Sequence, residues 1–269
     1  MASLIFIIYI GTLGLIIGSF FGALEYRIKS QKPGIFFGRS LCPYCNRVIK
    51  TIHLVPIIGY LLQKGRCEHC HKKISEKYLI IELTTATAFV LVATTNMKIP
   101  ELTSTHLQNL LEFLQINTHL FTILFSSTVL IFLAYYDALH KIVLDRIAIP
   151  AIIILIILIP YNQNLTYTSA FEGAIIATSF FLFQIIISRG RWLGGGDLRI
   201  SAIIGLTLGT ALTITALFLS YLLGAIINLP KVFKGQSKQA VAFAPYLAAG
   251  TIITLIWGNK ILNWYLNLI

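Results

Sequence analysis

Residues 198–229 read Leu198-Arg-Ile-Ser-Ala-Ile-Ile-Gly205-Leu-Thr-Leu-Gly209-Thr210-Ala-Leu-Thr-Ile-Thr-Ala-Leu-Phe-Leu-Ser-Tyr-Leu-Leu-Gly224-Ala-Ile-Ile-Asn-Leu229. After Arg199 no charge interrupts the run. One bilayer crossing takes about 20 mostly apolar residues, so the stretch is too long for a single span. Gly205, Gly209 and Thr210 lie near its middle and favour turns. It is expected to fold as two short spans, 198–209 and 211–229, joined by a tight hairpin.

The rest of the chain reads the same way. Of its 269 residues 57% are hydrophobic and 12% charged, against roughly 25% charged in soluble domains. That excludes a disordered chain, a coiled coil, a collagen and a disulfide-rich miniprotein. Further apolar segments fall at 3–24, 78–95, 119–137, 145–160, 169–188 and 240–258. The first has no basic stretch before it and no small-residue cleavage site after it, so it reads as a retained span, not a signal peptide. With Leu107, Leu110, Leu111 and Leu114 at helical spacing, 104–117 reads as a short amphipathic helix on the membrane surface. The expected fold is an all-α polytopic membrane protein of about eight transmembrane helices. Its parts are a first helix at 1–24, a small polar domain at 25–77 whose two CxxC pairs make it zinc-ribbon-like, and a membrane domain at 78–269.

The net charge of +11 is not a nucleic-acid signature, because the basic residues are confined to short segments between apolar runs. Eight spans put 25–77, 138–144, 189–197 and 230–239 on one side. With their flanks these hold 19 of the 21 Lys and Arg residues, only Lys98 and Lys260 falling outside. The positive-inside rule makes that side cytoplasmic.

All four cysteines lie in 25–77, as Cys42-Pro-Tyr-Cys45 and Cys67-Glu-His-Cys70, with 21 residues between the pairs. Each pair can turn two thiolates toward one ion, and four such ligands make the closed tetrahedral site of structural zinc. Thiols on the cytoplasmic side stay reduced, which favours zinc over disulfides. Free or redox-active thiols are the other reading. His69 or His71 could replace a thiol, but four cysteines already satisfy the ion.

The chain has three aspartates, Asp137, Asp145 and Asp197. Asp137 ends an apolar run, and Asp197 follows Gly194-Gly195-Gly196 and begins another. Both fall at cytoplasmic ends of spans, at one depth. Ionisable residues at such positions are costly and functional by default. Two carboxyls brought together share one proton, so one can act as base and the other as acid in amide hydrolysis. The glycines would admit an extended substrate backbone and permit positive φ. Asp197 could instead cap a helix, and capping is the expected main role of Asp145. Asp137 ends a helix, where the macrodipole disfavours an anion.

Several motifs in register resemble the bacterial type IV prepilin peptidases, the GxGD class of membrane aspartic proteases. They are Gly18-Ser19-Phe20 through Arg27, the cysteine segment with Pro56, Gly59-Tyr60-Leu61 and Ile74 through Glu82, Asp137 with Asp145, Gly194 to Asp197, and Phe243-Ala244-Pro245-Tyr246-Leu247-Ala248. Leu144, Arg199 and Ala244 stand where Pro, Lys and Gly are common in that family. The resemblance implies an aspartic endopeptidase that removes the leader of type IV prepilins and pseudopilins after a glycine, at the cytoplasmic face of the bacterial inner membrane. It implies Asp137 and Asp197 as catalytic aspartates, and Cys42, Cys45, Cys67 and Cys70 as zinc ligands. It further implies N-methylation of the new N-terminus with S-adenosylmethionine (S-adenosyl-L-methionine). Gly18, Arg27 and Glu82 are candidates for holding that cofactor, while Glu25 and Arg27 read equally well as a solvated pair at the membrane boundary. The expected partners are the prepilin or pseudopilin substrate and the lipid bilayer, with no nucleic acid. Two alternatives differ in class. Another GxGD intramembrane protease would lack the cysteine domain, and a non-enzymatic zinc-ribbon scaffold or transporter would not need the aspartates.

Overall fold

The computed structural model describes residues 2–30, 38–96, 106–162, 164–233 and 241–268. Its helices are α1 (Ala2–Lys29), α2 (Ile58–Leu62), α3 (Lys77–Asn96), α4 (His106–His140), α5 (Asp145–Leu158), α6 (Tyr167–Ser188), α7 (Gly195–Phe233) and α8 (Ala244–Leu266), with short 3-10 turns at Thr51–Leu54 and Ile159–Tyr161. The all-α polytopic reading holds. Five helical stretches among the described residues are long and apolar enough to cross a membrane, with 195–230 taken as one. The 14-residue α5 and the helix α8 complete the set of apolar segments. The expected surface helix at 104–117 is different. From His106 onward it is the start of α4, and the placing of its leucines lies outside the described residues.

The chain divides into two compact units, residues 1–91 and 92–269. In the first, the cysteines sit on two matching turns. Cys42 N–H donates to Arg47 O and Asn46 N–H to Cys42 O. Likewise Cys67 N–H donates to Lys72 O and His71 N–H to Cys67 O, all at 2.9–3.0 Å. Asn46 and His71 take the same left-handed conformation, φ 53° and 55°. Isolated bridges Leu41–Val48 and Arg66–Lys73 close the two turns.

In the second unit α4 to α8 enclose an apolar core that includes Leu130, Leu133, Leu155, Phe181, Ile203, Ile204 and Leu247. α6 is capped at both ends. Thr166 accepts the Ser169 N–H, and Arg189 closes the helix in the left-handed region at φ 52°. The expected hairpin is present within α7. Gly209 adopts φ 72°, ψ −177°, a conformation that is essentially glycine's alone, and breaks the helical path. In a straight helix Asp197 and Tyr221 would stand about 36 Å apart at 1.5 Å per residue. Instead the two lie within electrostatic reach of one another. Thr210 bonds Ser169 near the start of α6, at 3.1 Å. Tyr221 bonds Gln184 near its end, at 2.8 Å. The second half of α7 therefore returns toward the end at which the first half began.

Candidate active site and metal centre

Asp137 lies in the last turn of α4 and is only 6% exposed. A helix C-terminus repels an anion, and the structure supplies compensation from α8. The Ala244 N–H, in the first turn of that helix, donates to Asp137 Oδ2 at 3.2 Å. Pro245 follows and has no N–H to offer, while the N–H groups of Tyr246 and Leu247 both turn back to Phe243 O. This gives the Phe243-Ala244-Pro245 motif a physical role that sequence reading did not find. No local periodicity relates residues 137 and 244.

Asp197 is the third residue of α7 and is 7% exposed. Its Oδ2 accepts the Gly194 N–H at 3.2 Å, the reach-back half of a capping box. Gly194, not Asp197, therefore holds the cap position; Asp197 reaches back to it from the third helical position, and this bond fixes the carboxylate's direction. Asp137 and Asp197 lie close enough for the charge of one to act on the other. Among the described residues no hydrogen bond reaches Oδ1 of either.

Two expectations around this pair need correction. Asp145 is not a cap. Leu144 holds the cap position without a side-chain bond, and Asp145, first in the helix, pairs with Arg199 at 2.9 Å. Arg199 also donates to Gly195 O at 3.1 Å, so the ion pair ties the start of α5 to the start of α7. Nor do Gly194, Gly195 and Gly196 use positive φ; among the described glycines only Gly65, Gly190 and Gly209 do. A Cβ at Gly194 or Gly195 would meet nothing nearer than 4.0 Å, whereas at Gly196 it would lie 2.5 Å from Val143 Cβ. The first two glycines leave open space beside Asp197, and the third lets α7 pack on Val143.

In the first unit the Sγ atoms of Cys42, Cys45, Cys67 and Cys70 all lie within 4.8 Å of one another, with Cys42 and Cys70 at 3.9 Å. Zn–S bonds of about 2.3 Å at tetrahedral angles need sulfurs about 3.8 Å apart. This quartet is the group among the described residues that could hold a metal. His69 and His71 are exposed, and His69 Nδ1 meets Arg47 at 3.4 Å. Backbone N–H groups of Cys70 and His69 draw the Cys67 thiol down to about 7, toward the thiolate a metal requires. Burial pushes Cys42 up to about 11. Beside the quartet, Lys50 bonds Glu68 and holds its carboxyl below the usual range.

Of the remaining candidates, Gly18 and Glu82 are neighbours. A Cβ at Gly18 would lie 2.7 Å from Glu82 Cα, so Gly18 lets α1 pass closely over α3. Glu82 is buried and accepts the Ile57 N–H at 2.7 Å. Arg27 donates to Gly38 O at 2.6 Å. The solvated reading of Glu25 is overturned, because it is 2% exposed and accepts from Lys77 at 3.0 Å.

Comparison with known proteins bears on both units. Residues 12–96, which hold the quartet, match the bacterial peptidase A24 N-terminal domain. Residues 123–229, which hold both buried aspartates, match the type IV leader peptidase family. The prepilin leader peptidase/N-methyltransferase of Bacillus subtilis (strain 168) is 30% identical over 95% of this chain and 96% of its own length. This chain belongs to the type IV leader peptidase family. Other relatives of the same description are those of Aeromonas salmonicida (strain A449), 28% identical over 89% of this chain and 78% of their own length, and of Dichelobacter nodosus, 27% identical over 95% and 93%. No solved structure matches the chain. Ala244, the donor to Asp137, lies beyond the stretch matched to the leader peptidase family.

Proposed function

We propose that this chain is a membrane aspartic endopeptidase that removes the leader of type IV prepilins and pseudopilins after a glycine and then N-methylates the new N-terminus. Its place is the bacterial inner membrane, with the catalytic face toward the cytoplasm. Family membership supports the reaction class. The observation that carries the residue assignment is the pair of buried carboxylates, each held through Oδ2 by one backbone N–H with Oδ1 left over.

In this reading Asp137 and Asp197 hold one proton between them. The ionised carboxylate takes a proton from water as the water oxygen bonds to the scissile carbonyl carbon. The protonated partner then delivers its proton as the C–N bond breaks, and the leaving amine departs. Open space beside Gly194 and Gly195 gives the substrate backbone room to approach. The Asp145–Arg199 pair holds the turn that aims Asp197.

Cys42, Cys45, Cys67 and Cys70 would hold one structural zinc, which the spacing of their sulfurs fits. S-adenosylmethionine supplies the methyl group to the freed amine. Its sulfonium, ammonium and carboxylate call for both signs of charge, and Glu82 and Arg27 would offer them, whereas Gly18 packs α1 against α3 and leaves no space for it. Replacing either aspartate tests the reading. Asp137→Asn and Asp197→Asn should each abolish leader removal from a co-expressed prepilin while the protein still inserts. Normal processing by either variant overturns the assignment.

A further inference from the structure

Near the aspartates a polar group sits in the membrane-spanning part of the second unit without an evident task. Gln184 lies four residues before the end of α6, about 6 Å inside it at 1.5 Å per residue. Its Oε1 accepts the Tyr221 hydroxyl at 2.8 Å. Among the described residues no hydrogen bond reaches its amide nitrogen. Gln184 is half-buried, and this nitrogen is not among the buried side-chain atoms that lack a partner, so it stays within reach of a ligand.

Tyr221 links this amide to both halves of the site. Its ring lies 5.0 Å from that of Phe243, the residue before the Ala244 N–H that holds Asp137. Asp197 lies within electrostatic reach of its phenol. Phe181, at 6.3 Å, backs the same ring from α6. Gln184 is therefore aimed by a side chain that borders the aspartate pair.

The chemistry of the reaction names what such a donor would meet. An amide bond inside a helix is shielded by the turns around it, so a membrane-embedded helix must unwind locally before two carboxyls and a water can reach one. Unwinding frees backbone carbonyls in a place where water is scarce, and each needs a partner. We infer that Gln184 is a substrate-binding residue of the peptidase site, its carboxamide held by the Tyr221 hydroxyl so that its amide nitrogen donates to a backbone carbonyl of the unwound substrate segment.

This inference rests on the aspartate assignment proposed above and is separable from it. The test is steady-state cleavage of a purified prepilin by the full-length enzyme carrying Gln184→Leu, Tyr221→Phe or both, with the Tm of each variant in detergent as the folding control. Gln184→Leu should lower kcat/KM about tenfold, equivalent to about 1.4 kcal/mol. Tyr221→Phe, which only releases the amide from its anchor, should cost about threefold. The double variant should be no worse than Gln184→Leu alone, because both act through one group. The inference is overturned if Gln184→Leu stays within twofold of the unmodified enzyme. Equal losses from the two single changes also overturn it, since Gln184 would then serve only Tyr221. So does a loss of cleavage matched by a large fall in Tm, which would make the role of Gln184 structural. Normal cleavage by Asp197→Asn in the same assay would instead refute the aspartate assignment, whatever Gln184 does.

Discussion

The cysteine quartet and the aspartate pair are built in opposite ways. Within 40–74 the bonds that shape the metal site join residues a few positions apart, and the same pattern appears twice, once around Cys42 and once around Cys67. The aspartates are 60 positions apart in sequence, and one of them is held by a backbone group 107 residues away. The quartet can form as soon as its short turns and an ion meet. The pair exists only once α4, α7 and α8 are packed. Damage should therefore stay local in the first case and depend on helix packing in the second.

The contrast can be tested from its strongest consequence downward. Removing a carboxylate should hit hardest. Asp137→Asn or Asp197→Asn is expected to lower leader removal by about 10²- to 10⁴-fold, the usual share of a general acid or base, with unchanged membrane insertion. Retention of even a tenth of the activity would mean that the pair is not the reacting group.

Next comes the metal. The purified protein should carry roughly one zinc per chain, and Cys→Ser at any of the four positions should release it and open 38–76 to protease. Lowering the pH should do the same. Ligation needs four thiolates, so protons compete with the metal and its affinity falls as the pH falls. Metal analysis across a pH series checks the sign, and metal retained equally at pH 5 and pH 8 would contradict it. If the quartet is as local as its bonding suggests, melting of 118–268 should change little.

Gly209→Val probes the packing on which the pair depends. It would put a β-branched residue at φ 72° and bring a Cβ within 2.6 Å of Ser169 Oγ. Strain of this kind costs about 1–3 kcal/mol. Thermal melting in detergent should show a lower Tm together with lost cleavage, while zinc content is kept. An unchanged Tm would mean that the break at Gly209 is not required.

The smallest effect should come from the Asp145–Arg199 tie, whose side chains are 51% and 34% exposed. Asp145→Asn should cost no more than about 1 kcal/mol and lower cleavage less than threefold. A loss as large as that of Asp137→Asn would move Asp145 into the reacting group.

Much of this was legible beforehand, and particular residues show why. The CxxC spacing announces the metal site because its geometry is short-range. The helix boundaries follow from apolar runs ending at polar or glycine residues, as at Ser188 and Gly195, and the turn at Gly209 from the residue types at the centre of an over-long run. Charge alone misread Glu25, which looked like a boundary residue but is buried against Lys77. It also misread Asp145, a cap candidate that instead forms a tie between two helix starts. In each case the deciding partner lies far along the chain.

By itself, the amino-acid order determined that this protein is an apolar bundle with a thiol quartet and two acidic side chains at span ends. Hydropathy and ligand spacing are properties of neighbouring residues. Only the tertiary structure decided that Ala244 steadies Asp137, that α7 doubles back to bring Tyr221 near Asp197, and that Gln184 keeps its amide nitrogen in reserve. Those contacts are made by helices packing side by side, and packing selects partners by shape and distance in space, which no local pattern records.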